Sequence, residues 1–210
     1  MTPAPSQLLV VTDRTGSPRP LVERIEAALF GGARWIWFRD RDLATVERRS
    51  LAEDILGPVR EAGARLVIGG DVALACAIGA DGIHLGGGAT ARDIDAARRD
   101  LPAGCTLGIS AHSPHDIHRA EAAGVNYATL SPIFPTLSKP GYGPALGPQV
   151  LRSCRDQKIP VLALGGITPL NTAACREAGF AGVAVMGGVM RADDTRSAVR
   201  AHLDAWNDRS

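Results

Sequence analysis

The chain has 210 residues, 45% of them hydrophobic, and a formal net charge of +1. That length supports one well-buried core and is short for two domains, and a near-neutral charge gives no basis for a nucleic-acid or anionic-membrane partner. No apolar stretch approaches the roughly 20 residues needed to span a bilayer, and Met1–Ser6 lacks the basic start and apolar run of a signal peptide. The cysteines Cys76, Cys105, Cys154 and Cys175 are scattered with no C-x-x-C pair, so they read as reduced thiols in a cytoplasmic protein.

In chain order, short apolar runs predict strands over Leu8–Thr12, Trp35–Phe38, Arg65–Ile68, Gly82–Leu85, Thr106–Ser110, Tyr127–Ser131, Pro160–Leu164 and Gly182–Met186. Helical stretches fall between them: Leu21–Phe30, Leu43–Glu61, Ala91–Arg99, His115–Ala123, Gln149–Asp156 and Leu170–Ala178, with Thr195–Trp206 closing the chain. Thr90, Ser113 and Thr168 have the form of helix N-caps, the last two followed by Pro at the first helical position. Strands alternating with helices imply βαβ units and a parallel sheet, and eight units in this length fit an α/β fold, a single (β/α)8 TIM barrel spanning 1–210 as one domain.

A barrel keeps its chemistry at the C-terminal ends of its strands. Those ends carry Arg39 and Arg41 after strand two, Gly69-Gly70-Asp71 after strand three, His84 on strand four, and Ser110 and His112 after strand five. Strand six leads into a Pro- and Gly-rich loop, Pro132–Pro148, that holds Thr136 and Lys139. Only Lys139 and Lys158 are lysines in a chain with 23 basic residues, so a lysine in a loop of that length is a candidate ligand-binding ammonium.

The glycine pairs Gly165-Gly166 and Gly187-Gly188 close the last two strands. Glycine-rich strand exits let backbone N–H groups approach an anion, and the loops after strands seven and eight of a barrel often bind phosphate. These four glycines are therefore the expected phosphate-binding residues. His112 is the expected acid/base, because histidine titrates close to neutrality. His115 and His118 read as a solvated helix face, and no metal site is expected. Asp71 and Asp93 read as helix caps.

The resemblance is carried by Val11-Thr12-Asp13, Phe38-Arg39-Asp40-Arg41, Ala80 to Gly86, Gly108 to Ser113, Tyr127 to Lys139, Leu164 to Ile167 and Gly182 to Met186. With these motifs in this order, the chain resembles the thiamine phosphate synthase / TenI superfamily of small barrels over nearly its whole length. The resemblance implies thiamine biosynthesis and a phosphorylated thiazole as ligand, and leaves assembly as a homo-oligomer open.

Two activities compete within that superfamily. The synthase pattern implies that a pyrimidine pyrophosphate joins thiazole phosphate, with Mg²⁺ held by carboxylates after strands three and four. Here the corresponding positions are Gly70 and Ala89, Trp37 replaces a glutamine, and Arg41 replaces a lysine. The TenI pattern, with Arg-x-Arg on strand two and glycine for the metal aspartate, fits those positions better. The expected activity is accordingly a cofactor-free thiazole tautomerase, an isomerase, in which His112 moves the proton. Arg39, Arg41, Lys139, Thr136 and Ser110 are then the expected substrate-binding residues. The alternatives are a thiamine phosphate synthase using Mg²⁺ on a rearranged site that includes Asp71, or a non-catalytic thiazole-phosphate-binding protein.

Overall fold

The computed structural model describes residues 4–136, 144–154 and 156–208. Eight parallel strands close into a barrel in sequence order: β1 (Leu8–Val11), β2 (Trp35–Phe38), β3 (Arg65–Gly69), β4 (Gly82–Leu85), β5 (Thr106–Ala111), β6 (Tyr127–Leu130), β7 (Val161–Leu164) and β8 (Gly182–Val185). Closure pairs Leu8 with Val183 and Val10 with Val185. The connecting helices are α1 (Leu21–Phe30), α2 (Thr45–Glu61), α3 (Val72–Ile78), α4 (Ala91–Asp100), α5 (Pro114–Ala122), α6 (Pro169–Glu177), α7 (Gly187–Met190) and α8 (Thr195–Asn207).

The strands are apolar on both faces because both faces are covered. Outward residues such as Val10, Ile36, Ile68 and Val183 pack under the helices, in one cluster with Ile25, Ile55 and Val199. Inward residues Leu9, Val11, Trp35, Trp37, Val67, Tyr127, Leu162 and Ala184 fill the barrel. Trp35 and Tyr127 meet edge to face at 4.6 Å between ring centroids. Gly108 makes this possible, since a Cβ there would lie 2.1 Å from the Tyr127 ring.

The predicted caps form. Asp93 Oδ2 accepts from the Thr90 backbone N–H at 2.7 Å, and Ser113 Oγ accepts from the Asp116 N–H at 3.2 Å. Two elements differ from expectation. The stretch expected as a helix over Gln149–Asp156 is a 3₁₀ helix, Pro148–Cys154, and the chain adds a single helical turn, α7, directly after β8.

Candidate functional site

The C-terminal strand ends open into a cleft of about 940 Å³. Of the expected site residues, Arg39, Arg41, Ser110, His112, Thr136, Gly165, Gly166, Gly187 and Gly188 all line it. Lys139 falls outside the described residues, as does part of the loop that carries it. In the closed ring of eight, β2 lies two strands from β8 and three from β7, so the arginines of the β2 end and the glycines of the β7 and β8 ends occupy separate sectors of the same cleft.

The β7 rim requires glycine. Gly165 and Gly166 have φ of +95° and +64°, values that L side chains rarely adopt. A Cβ on Gly166 would also stand 2.4 Å from the Pro135 carbonyl oxygen. The Pro132–Pro135 segment is laid directly over this turn, with Ile133 N–H donating to Leu164 O at 2.9 Å and Phe134 N–H donating to Gly165 O at 3.0 Å. The second pair forms the first turn of α7. A Cβ on Gly188 would sit 3.6 Å from Ile167 O, so the two glycine turns are adjacent.

His112 follows β5. Its Nδ1 lies 2.9 Å from the Ser131 carbonyl oxygen. A carbonyl can only accept, so Nδ1 carries the proton, and in the neutral ring Nε2 is the basic atom. Nε2 sits beside Gly87, where a Cβ would approach it to 2.8 Å. The His112 backbone N–H donates to Asp116 Oδ2 at 3.0 Å, which ties the residue to the start of α5.

Beneath the cleft floor His84 is fully buried. Its Nδ1 is 2.9 Å from Tyr127 Oη, its Nε2 is 3.0 Å from Ser110 Oγ, and its ring lies 3.8 Å from that of Trp37. Burial, followed by the nearby Arg41 charge, pushes its pKa down to about 3, so it is neutral. The Ser110 hydroxyl at the cleft wall is thus held from behind by a neutral imidazole.

The carboxylates of the cleft are committed to other groups. Asp13 accepts from Arg191 Nη2 at 2.9 Å. Asp40 accepts from the Thr12 hydroxyl at 2.5 Å and from Arg14 N–H at 2.9 Å, and Asp42 pairs with Arg14. Asp71 is engaged at both oxygens: Oδ1 caps α3 by accepting from Leu74 N–H at 2.9 Å, and Oδ2 pairs with Arg48 Nη1 at 2.7 Å. Arg48 also donates to Asp40 O and Gly69 O, both at 2.8 Å, and so binds the β2 and β3 ends together. Arg48 and Arg191 were not among the expected residues. Each lies on a helix or its end with no local motif, and only the fold brings Arg191 back to Asp13.

Arg39 and Arg41 differ from these arginines: among the described residues neither pairs with a carboxylate. Arg41 reaches over the β3 end. A Cβ on Gly70 would lie 2.6 Å from its Nη2 and 2.7 Å from its Cζ, and one on Gly86 would lie 4.0 Å from its Nη1. Desolvation, then repulsion from Arg48 and Arg39, lowers the Arg41 pKa. The Mg²⁺ that the synthase pattern implies does not fit this donor set. Gly70 and Ala89 offer no side-chain oxygen, Asp71 is already used twice, and a guanidinium occupies the space in front of Gly70. Among the described residues no three His, Cys, Asp or Glu side chains converge as ligands.

Residues 8–189 match the family described as Thiamine monophosphate synthase. A thiamine-phosphate synthase of Geobacillus thermodenitrificans is 38% identical over 191 residues, covering 88% of this chain and 85% of the relative. Another, of Roseiflexus castenholzii, is 36% identical over 197 residues, covering 93% and 86%. The solved thiamine phosphate pyrophosphorylase of Pyrococcus furiosus superposes with a TM-score of 0.85 at 31% identity, covering 95% of each chain. These relatives overturn the expected tautomerase and its isomerase class. That expectation weighed four positions around strands two to four, whereas similarity spread over nine-tenths of the chain leads to proteins named as synthases. The chain belongs to the thiamine monophosphate synthase family.

Proposed function

We propose that the protein joins a pyrimidine carried on a methylene pyrophosphate to a thiazole phosphate, forming thiamine phosphate and releasing pyrophosphate. One observation carries this reading: a single cleft is lined both by Arg39 and Arg41 and, two to three strands away around the ring, by the glycine turns of β7 and β8, two groups suited to separate anions. A reaction between two phosphorylated compounds needs such a pair.

In this reading the thiazole phosphate lies on the backbone of Gly165, Gly166, Gly187 and Gly188, where oriented amides favour an anion. The pyrophosphate lies against Arg39 and Arg41, whose planar forks suit phosphate oxygens. Holding both partners in one cleft makes the encounter effectively unimolecular. The thiazole nitrogen forms a bond to the methylene carbon as the carbon–oxygen bond to pyrophosphate breaks. The electron pair leaves on the pyrophosphate oxygen, where guanidinium charge stabilises it. Ser110 and Thr136 supply hydroxyls to the substrates. His112, its Nδ1–H held by Ser131 O, places Nε2 beside Gly87; protonated there, it donates to the departing oxygen. The residues present do not fit a metal, so the guanidinium forks take the charge of the leaving group.

The test is product formation from the two substrates, with pyrophosphate and thiamine phosphate appearing in equal amounts. Separate weakening of the two substrates by Gly166→Ala and Arg39→Gln supports the assignment of two separate anion sites. Loss of both together from either change contradicts it.

A further inference from the structure

We propose that the pyrophosphate site of this protein is built on guanidinium charge in place of a divalent cation, with Arg41 as its central group. The inference rests on the two-substrate reading for the identity of the ligand, but its geometric basis is separate. A metal-bound pyrophosphate requires hard oxygen ligands from the protein, usually one or two carboxylates. At the β3 and β4 ends this chain has Gly70 and Ala89. The Arg41 guanidinium lies so close to Gly70 that a side chain there would overlap it, and it extends toward Gly86. It thus covers the ends of β3 and β4, the place from which carboxylates would reach a cation.

The surroundings reinforce this choice of charge. Asp71, next to Gly70 in the chain, is engaged by Arg48 and by the α3 N-terminus, and Asp42 is paired with Arg14. Asp40 is turned toward Thr12 and the Arg14 backbone. Burial, then repulsion from Arg48 and Arg39, lowers the Arg41 pKa, and the same three arginine charges make the position hostile to a further cation. An anion entering there relieves that repulsion. Glycine at position 70 is required twice over, by its φ of +64° and by the guanidinium above it. The same glycine keeps the space open for Arg41.

The experiment measures inorganic pyrophosphate binding by calorimetry to protein stripped of metal with EDTA, then with added Mg²⁺, for the native chain and for Arg41→Gln. The proposal predicts binding without metal, at an affinity that Mg²⁺ does not raise. Arg41→Gln should weaken it about tenfold or more, the range expected for losing charged hydrogen bonds. Gly70→Asp, which sets a carboxylate against the guanidinium, should weaken metal-free binding as well. A cooperative thermal transition and an unchanged far-UV circular dichroism spectrum show that the variants fold. Binding that appears only with Mg²⁺, or that survives Arg41→Gln unchanged, overturns the proposal. Thiamine phosphate synthesis in EDTA separates the two readings. Metal-free pyrophosphate binding with no synthesis under any condition defeats the proposed function and leaves the Arg41 site standing. Synthesis and pyrophosphate binding that both need Mg²⁺ defeat the Arg41 site and leave the function standing.

Discussion

Acidification should destabilise this barrel through two buried histidines. His84 at the cleft floor and His202 on α8 have pKa values lowered from 6.5 to about 3 and about 4, both chiefly by burial. Arg41 lowers His84 further. Each is neutral in the folded chain and takes up a proton on unfolding once the pH falls below its unfolded value. Stability is therefore intact above about pH 6.5 and is lost as pH falls through the window down to the folded pKa values. Between about pH 7.5 and about pH 5 the loss is about 2 kcal/mol per histidine, or about 4 kcal/mol together. For a chain of this size that corresponds to a melting temperature lower by about 8–16 °C. Thermal denaturation followed by circular dichroism at the two pH values measures it. His202→Leu isolates one contribution: His202 Nδ1 has no hydrogen-bond partner among the described residues, so the change should cost little at neutral pH and remove about half of the acid sensitivity. A melting temperature that stays level over this range, or a variant as acid-sensitive as the native chain, would refute the reasoning.

Further predictions concern the site. His112→Ala should lower turnover by about 10²–10⁴-fold while calorimetry shows thiazole phosphate still binding; full turnover would remove His112 from the mechanism. Gly166→Ala should cost at least about 1–2 kcal/mol for the left-handed backbone alone, and it also displaces Pro135, so both the melting temperature and thiazole phosphate affinity should fall. Arg48→Met breaks three hydrogen bonds that join the β2 and β3 ends and leaves Asp71 Oδ2 without its partner. Urea denaturation should register about 2–4 kcal/mol, since the pair is only partly shielded from solvent.

Local chemistry made the fold legible. Strands such as Val161–Leu164 and Gly182–Val185 are short and wholly apolar because helices cover their outer faces and the barrel core their inner ones. The caps at Thr90 and Ser113 and the glycine turns at β7 and β8 are set by neighbours within a few residues, so sequence spacing finds them. The misread stretch was Gln149–Asp156, whose residues pack Leu151 and Cys154 inward from a tighter 3₁₀ helix. Contacts made only by the fold were not legible. Asp13 meets Arg191 from 178 positions away, and Asp71, a cap in the sequence, is also held by Arg48. That second engagement leaves both Asp71 oxygens with partners. The activity was misjudged because Gly70, Ala89, Trp37 and Arg41 were weighed above the similarity of the whole chain to proteins named as synthases.

The most direct test of the account is to incubate the protein with the pyrimidine pyrophosphate and thiazole phosphate and to quantify thiamine phosphate and pyrophosphate together. The account predicts that both form in equal amounts and that Arg39→Gln suppresses them in parallel. Binding of both substrates with no thiamine phosphate formed, with or without Mg²⁺, would contradict it.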